Sequence, residues 1–257
     1  PATVNREAEV ITPASQMSLQ QLVRNRLMAS REVYESQARQ AMRDGHYQEA
    51  VDQFDLAQEA AREEPDERAY LKLGYVFASI ASQQFIQAAN ALAWYLSPDP
   101  STGTLCDPRA LNRLRDVRSL YGHQEDIDRH SQAVDSLMAQ NPNLVEGMAL
   151  QALMAWGRGD APGAQFLARR VATIAQNTAR TVGEAAGSTE VYLRWARLQD
   201  MMQKAEELRK SADSTEGGQV GVRGPVAATQ PVLQDQLVPA SPMGNRPSEA
   251  SKTAIPK

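Results

Sequence analysis

The chain has 257 residues, of which 42% are hydrophobic but only 5% aromatic, so its apolar content is mostly Ala, Leu, Val and Met. That composition favours helices and excludes an aromatic-rich β-sandwich or barrel. The formal net charge of -4 gives no general basic field for a phosphate backbone, so no nucleic-acid partner is expected, and the single cysteine, Cys106, can form neither an internal disulfide nor a multi-cysteine metal site.

Residues 1–17 read as a flexible polar segment with Pro13 ahead of a helix start at Ser18. The segment lacks a basic stretch followed by an apolar one. No run in the chain approaches the roughly 18 consecutive apolar residues of a membrane span, so direct membrane insertion is not expected. Leu19, Leu22, Val23 and Leu27 then open an amphipathic helix that continues to Asp44 and stops at Gly45. Further helices are predicted over 47–63, 67–82, 85–97, 107–121, 124–140, 144–157, 161–180 and 188–211. Gly45, Pro65, the stretch ending at Gly103, Gly122, Pro142, Gly159 and Gly187 separate them. No segment keeps the period-two alternation of a strand, and the pattern is a series of antiparallel helix pairs.

The pairs repeat. The first, ARQAMRDGHYQEAVDQFDLAQEAAREEP, places Ala38, Gly45, Tyr47, Ala50, Phe54, Ala57 and Pro65, with Tyr34 as an earlier aromatic. A second follows with Tyr70, Leu73, Gly74 and Phe77 on one helix, Phe85, Ala88 and Leu92 on the next, and Pro100 at the close. The third is weaker, carrying Leu111, Leu114, Gly122, Ile127, Val134 and Leu137; the fourth has Ala152, Gly159, Ala164, Ala168 and Val171. The small or apolar residue that opens the packed face of each second helix is Ala50, Ala88, Ile127 and Ala164, at spacings of 38, 39 and 37 residues. Over residues 31–178 this pattern resembles the tetratricopeptide repeat, which recurs at about 34 residues.

The resemblance implies a right-handed α-solenoid of about four helix pairs, occupying residues 18–211. Its concave groove would be lined by the first helix of each pair and would receive a peptide or a helix. The groove-facing candidates carried over are Arg39, Met42, Arg68, Leu71, Tyr75, Leu153 and Trp156. Glu35 and Arg39 stand where members that clamp a terminal carboxylate have lysine and asparagine, so that specificity is not expected. In the last helix Val191, Tyr192, Trp195, Leu198, Met202 and Leu208 form an apolar stripe that fits a cap on the end of the array. A dimerisation surface that uses Met201 and Met202 is the competing reading.

Residues 212–257 are rich in proline and glycine and lack aromatics, which predicts a disordered tail. Val232, Leu233, Leu237 and Val238 form a small apolar cluster within it; a plain solvated tail is the simpler reading.

Catalytic patterns are absent. No GxSxG, GxxxxGK[ST] or HExxH string occurs, and Cys106 has no neighbouring histidine to activate it. His123 and His130 lack the spacing of a helical metal pair and a third ligand. The arginines of NRLRDVR, Arg113, Arg115 and Arg118, spread round a helix. No cofactor or metal is expected. The functional expectation is a non-enzymatic protein-interaction module or assembly scaffold. The alternatives are a secretion or assembly chaperone for a dedicated client and a structural homo-oligomer. Compartment is left open, with the cytoplasm slightly favoured and a bacterial envelope location allowed if a targeting segment was removed.

Overall fold

A computed structural model describes residues 13–98, 106–115, 117–182 and 188–217. The chain divides into two units, residues 1–217 and 218–257, and the second, with the cluster around Leu233 and Leu237, lies outside the described residues. Among the described residues the fold is all-α. The helices are α1 (Pro13–Arg43), α2 (Tyr47–Ala60), α3 (Pro65–Ala81), α4 (Phe85–Tyr95), α5 (Arg109–Arg113), α6 (Gln124–Gln140), α7 (Val145–Gly157), α8 (Ala161–Val182) and α9 (Ser188–Gly217). One 3-10 turn, Val117–Ser119, lies between α5 and α6.

Two predicted boundaries move outward. Helix α1 starts at Pro13 rather than Ser18, and α9 continues to Gly217, so residues 212–217 are helical rather than part of the tail. The extension of α9 has a local cause. Arg209 pairs with Asp213 at 2.6 Å, one helical turn on, and no glycine or proline intervenes before Gly217.

Three of the turns share one geometry. Gly45 (φ 79°) and Gly159 (φ 82°) both sit in the left-handed region just past a helix end, and Gln83 (φ 61°) takes the same place after α3. In each case the next amide closes a long bond to the carbonyl five residues back: His46 to Ala41 at 2.8 Å, Gln84 to Ser79 at 2.8 Å and Asp160 to Ala155 at 3.0 Å. These are Schellman closures, which satisfy carbonyls that the helix end leaves open. Ala50, Ala88, Ile127 and Ala164, the four register positions, are all buried.

The third pair departs from this regularity. The helix expected over 107–121 is replaced by the short α5 and the separate 3-10 turn. The Leu111 carbonyl, which would accept from the Arg115 amide in a continuous helix, instead accepts the Trp156 indole N–H at 2.9 Å and the Leu114 amide at 3.3 Å. The Arg115 amide turns to Asn112 at 3.3 Å. Ala110, Leu111, Leu114, Val117, Leu120 and Tyr121 are all buried in the broken segment.

Consecutive helices pack on one another from α1 to α4 and from α6 to α9, while α4 also packs directly on α7, α5 on α3 and α9, and α6 on α3. Helices α3 and α7 therefore have neighbours on several sides, and most residues of α3 from Ala69 to Ala81 and of α7 from Val145 to Gly157 are buried. One continuous core results, holding Phe54, Phe77, Tyr95, Trp156 and Trp195.

Candidate interaction surface

The packing of α3 and α7 decides where the expected groove residues lie. Met42 and Leu71 have no exposed area, and Leu153 and Trp156 are 1% exposed. These four are core residues, a correction to their assignment as groove-facing. The reason is that Leu71 lies on α3, covered by α2, α4, α5 and α6, Leu153 and Trp156 on α7, covered by α4, α6, α8 and α9, and Met42 at the end of α1, which packs on α2 and joins the core. Arg39, Arg68 and Tyr75 remain partly exposed.

Arg39 is engaged within the fold. It pairs with Glu35 at 3.0 Å and donates to the Tyr70 hydroxyl. The Arg113 guanidinium lies 3.7 Å from the centroid of the Tyr70 ring and 2.9 Å from the Glu67 carboxylate. Tyr70 thus links α1, α3 and α5 through charged and cation–π contacts. Arg115 likewise points inward, pairing with Glu206 at 2.9 Å and lying 5.6 Å from the Trp156 ring centroid. Two arginines of NRLRDVR are therefore internal ties rather than a basic patch.

Arg68 and Tyr75 come together with two residues that the sequence pattern did not single out. Arg68, Lys72 and Tyr75 follow one another at helical spacing along one face of α3, and Tyr75 lines a crevice between α2 and α4. The Arg68 guanidinium is 4.9 Å from the Trp94 ring centroid; the Lys72 ammonium is 5.0 Å from Trp94 and 5.3 Å from Tyr75. Val51, Asp52, Asp55 and Leu56 of α2 form the facing wall of a cleft of about 380 Å³. At one end Gln84 donates to the side chain of Gln48, bridging α2 to the start of α4.

The electrostatics of the crevice are mixed. Burial pushes the Lys72 ammonium below its ordinary value, Asp55 opposes this, and Arg68 adds to it. Burial and the Asp55 carboxylate push the Tyr75 hydroxyl up, and Asp52 contributes in the same sense. Tyr75 thus shares the cleft with Asp52, Asp55, Val51 and Leu56 of α2, and the cluster of Arg68, Lys72 and Trp94 adjoins it through the Lys72–Tyr75 contact. Such a surface suits contacts with another chain and has no activated nucleophile. The spacing of Arg68, Lys72 and Tyr75 was a readable signal for this face; Trp94 was hidden because it belongs to the second helix of its pair.

His123 precedes α6 and is exposed, whereas His130 is buried at 3% exposure, with its ring 4.8 Å edge-on to Tyr47 and 5.6 Å from Tyr121. Burial, reinforced by Arg129 and opposed by Asp126, lowers its pKa to about 4. Cys106 is partly buried against the core. In α9, Met201 and Met202 are buried together with Trp195 and Leu198, so the methionines belong to the packed face and not to an open dimerisation surface. Among the described residues no group of three or more His, Cys, Asp or Glu could hold a metal ion, and no helix is long and apolar enough to cross a membrane. No family model, curated protein or solved structure matches this chain.

Proposed function

We propose that the chain is a non-enzymatic protein-interaction module or assembly scaffold, built from tetratricopeptide-like helix pairs in a solenoid-like array whose third pair is remodelled. The recurring Schellman turns at Gly45, Gln83 and Gly159, spaced by 38 residues or twice that, support the repeat reading. The observation that carries the functional reading is the partly exposed strip where Arg68 and Lys72 of α3 lie against Trp94 of α4 beside Tyr75, which shares a cleft with Asp52 and Asp55. Tyrosine, tryptophan and arginine are the residue types that dominate interface energetics.

The partner that fits is a peptide or amphipathic helix with an apolar residue to cover Tyr75 and Leu56 and charges of both signs beside it. Affinity capture followed by mass spectrometry tests this, comparing the wild type with Tyr75→Ala and Arg68→Ala. A dedicated partner recovered by the wild type is expected to lose on the order of 2 kcal/mol of binding with Tyr75→Ala, roughly thirtyfold in Kd. Unchanged recovery by variants with wild-type circular dichroism would remove the crevice from the reading.

A further inference from the structure

Two other surfaces are complementary to each other. The first is an apolar cleft of about 300 Å³ where α4 meets the end of α6 and the start of α7, lined by Phe85, Ile86, Leu137, Leu144 and Leu150, with Glu146 as its one ionisable group. Ile86 stands 80% exposed at this cleft. The second is the outer face of α8, where Phe166, 59% exposed, is followed at helical spacing by Arg169, Arg170, Thr173 and Ile174. Helix α8 contains Arg169, Arg170 and Arg180 and no carboxylate, in a chain whose formal net charge is -4. One surface is a recess with a single negative charge; the other is a shallow hollow of about 280 Å³ bordered by the exposed Phe166 ring and two positive charges.

We propose that a second copy of this chain occupies the cleft, inserting Phe166 of its α8 between α4 and α7 and setting Arg169 and Arg170 against Glu146. Burying an aromatic side chain removes about 150–250 Å² from water, and the opposite charges fix which way round the two copies meet. The two surfaces are different patches of one chain, so the contact is heterologous and each copy keeps a free cleft or a free α8 face. Association therefore continues head to tail into chains, or into a ring if the rotation closes. The crevice over α3 takes no part.

The test is analytical ultracentrifugation of the full chain at low and high salt, with Phe166→Asp, Ile86→Lys and their equimolar mixture. Both substituted side chains are exposed, and circular dichroism checks each fold. The wild type is expected to grow in mass with concentration and to weaken as salt rises. Each variant alone stays monomeric over at least a tenfold higher concentration. The mixture forms a 1:1 dimer and stops there, because Phe166→Asp retains the cleft and Ile86→Lys retains the α8 face. Glu146→Arg gives a second reading, weakening wild-type association at least tenfold without touching either apolar group. A wild type that remains monomeric at every concentration, a variant that assembles by itself, or a mixture that stays monomeric would each overturn the proposal. The crevice reading is scored separately by partner capture.

Discussion

Trp156 and Tyr75 show how different two aromatic residues of one all-helical fold can be. Trp156 is 1% exposed and its indole N–H satisfies the Leu111 carbonyl, so it holds α7 to the broken third pair. Trp156→Ala is expected to cost about 3–5 kcal/mol in urea unfolding, and Trp156→Phe about 1–3 kcal/mol, because the ring volume is largely kept while the buried carbonyl loses its donor. Tyr75→Ala is expected to cost much less in the same measurement and to act on partner capture. His130 supplies a pH dependence. Its folded pKa of about 4 lies below the ordinary value near 6.5, so the unfolded chain binds more protons between those limits. Stability is complete above pH 6.5 and falls as pH drops toward 4, by on the order of 2–3 kcal/mol. Urea midpoints measured from pH 7 to 4.5 should show this fall in the wild type and a flatter profile in His130→Phe.

Turns and helix ends carry the next level of consequence. Gly45 and Gly159 occupy the left-handed position at no steric cost, whereas Gln83 adopts the same conformation with a side chain. Gln83→Gly is expected to stabilise by about 0.5–1 kcal/mol and Gly159→Ala to destabilise by about 1 kcal/mol, both read from thermal or urea unfolding. Helix α9 is fastened by polar groups as well as by its apolar stripe. Asn112 donates to the Ala205 carbonyl at 2.7 Å, and Glu206 joins Arg115 and Arg209, each at 2.9 Å. Arg209, then Arg115 and Lys210, hold the Glu206 carboxyl below its ordinary range against the opposing effect of burial. That stabilisation is present above the ordinary carboxylate pKa and lost as pH falls through the lowered one. Glu206→Gln should therefore speed hydrogen exchange in the second half of α9 at neutral pH while leaving α1 to α4 unchanged. Most of this scale was legible in the sequence, because glycine punctuation and the spacing of Ala50, Ala88 and Ala164 report local geometry. The division of residues 107–121 was not, since it depends on Trp156, over forty residues away, taking a carbonyl from the local helix.

At the scale of the whole folded unit the all-helical order was legible and the closure was not. A simple stack of pairs couples each repeat only to its neighbours, so damage stays local. Here the third pair touches the first. Gly122 lies so close to the end of α1 that a Cβ there would overlap the Arg43 carbonyl, and Tyr121 and His130 pack against Tyr47 at the start of α2. The same segment reaches α3, where the Tyr121 hydroxyl meets the Phe77 carbonyl at 3.5 Å. Periodicity cannot announce such contacts, because they join residues from 44 to more than seventy positions apart, one of them through a glycine whose value lies in what it lacks. Contacts between non-adjacent pairs also explain why Leu71 of α3 and Leu153 and Trp156 of α7 are core rather than groove, while Arg68, Lys72 and Tyr75 keep part of their surface exposed. The closure makes a prediction about cooperativity. Gly122→Ala forces backbone to shift at the junction and is expected to destabilise by about 1–3 kcal/mol. If the junction couples the pairs, the loss spreads: protection of core amides in α2 and in α7 falls by the same factor in native-state hydrogen exchange, and urea unfolding stays a single transition. Loss of protection confined to the Gly122 turn and α6 would mean that the pairs open one at a time, as in a plain repeat array, and that contact between the first and third pairs adds no cooperativity.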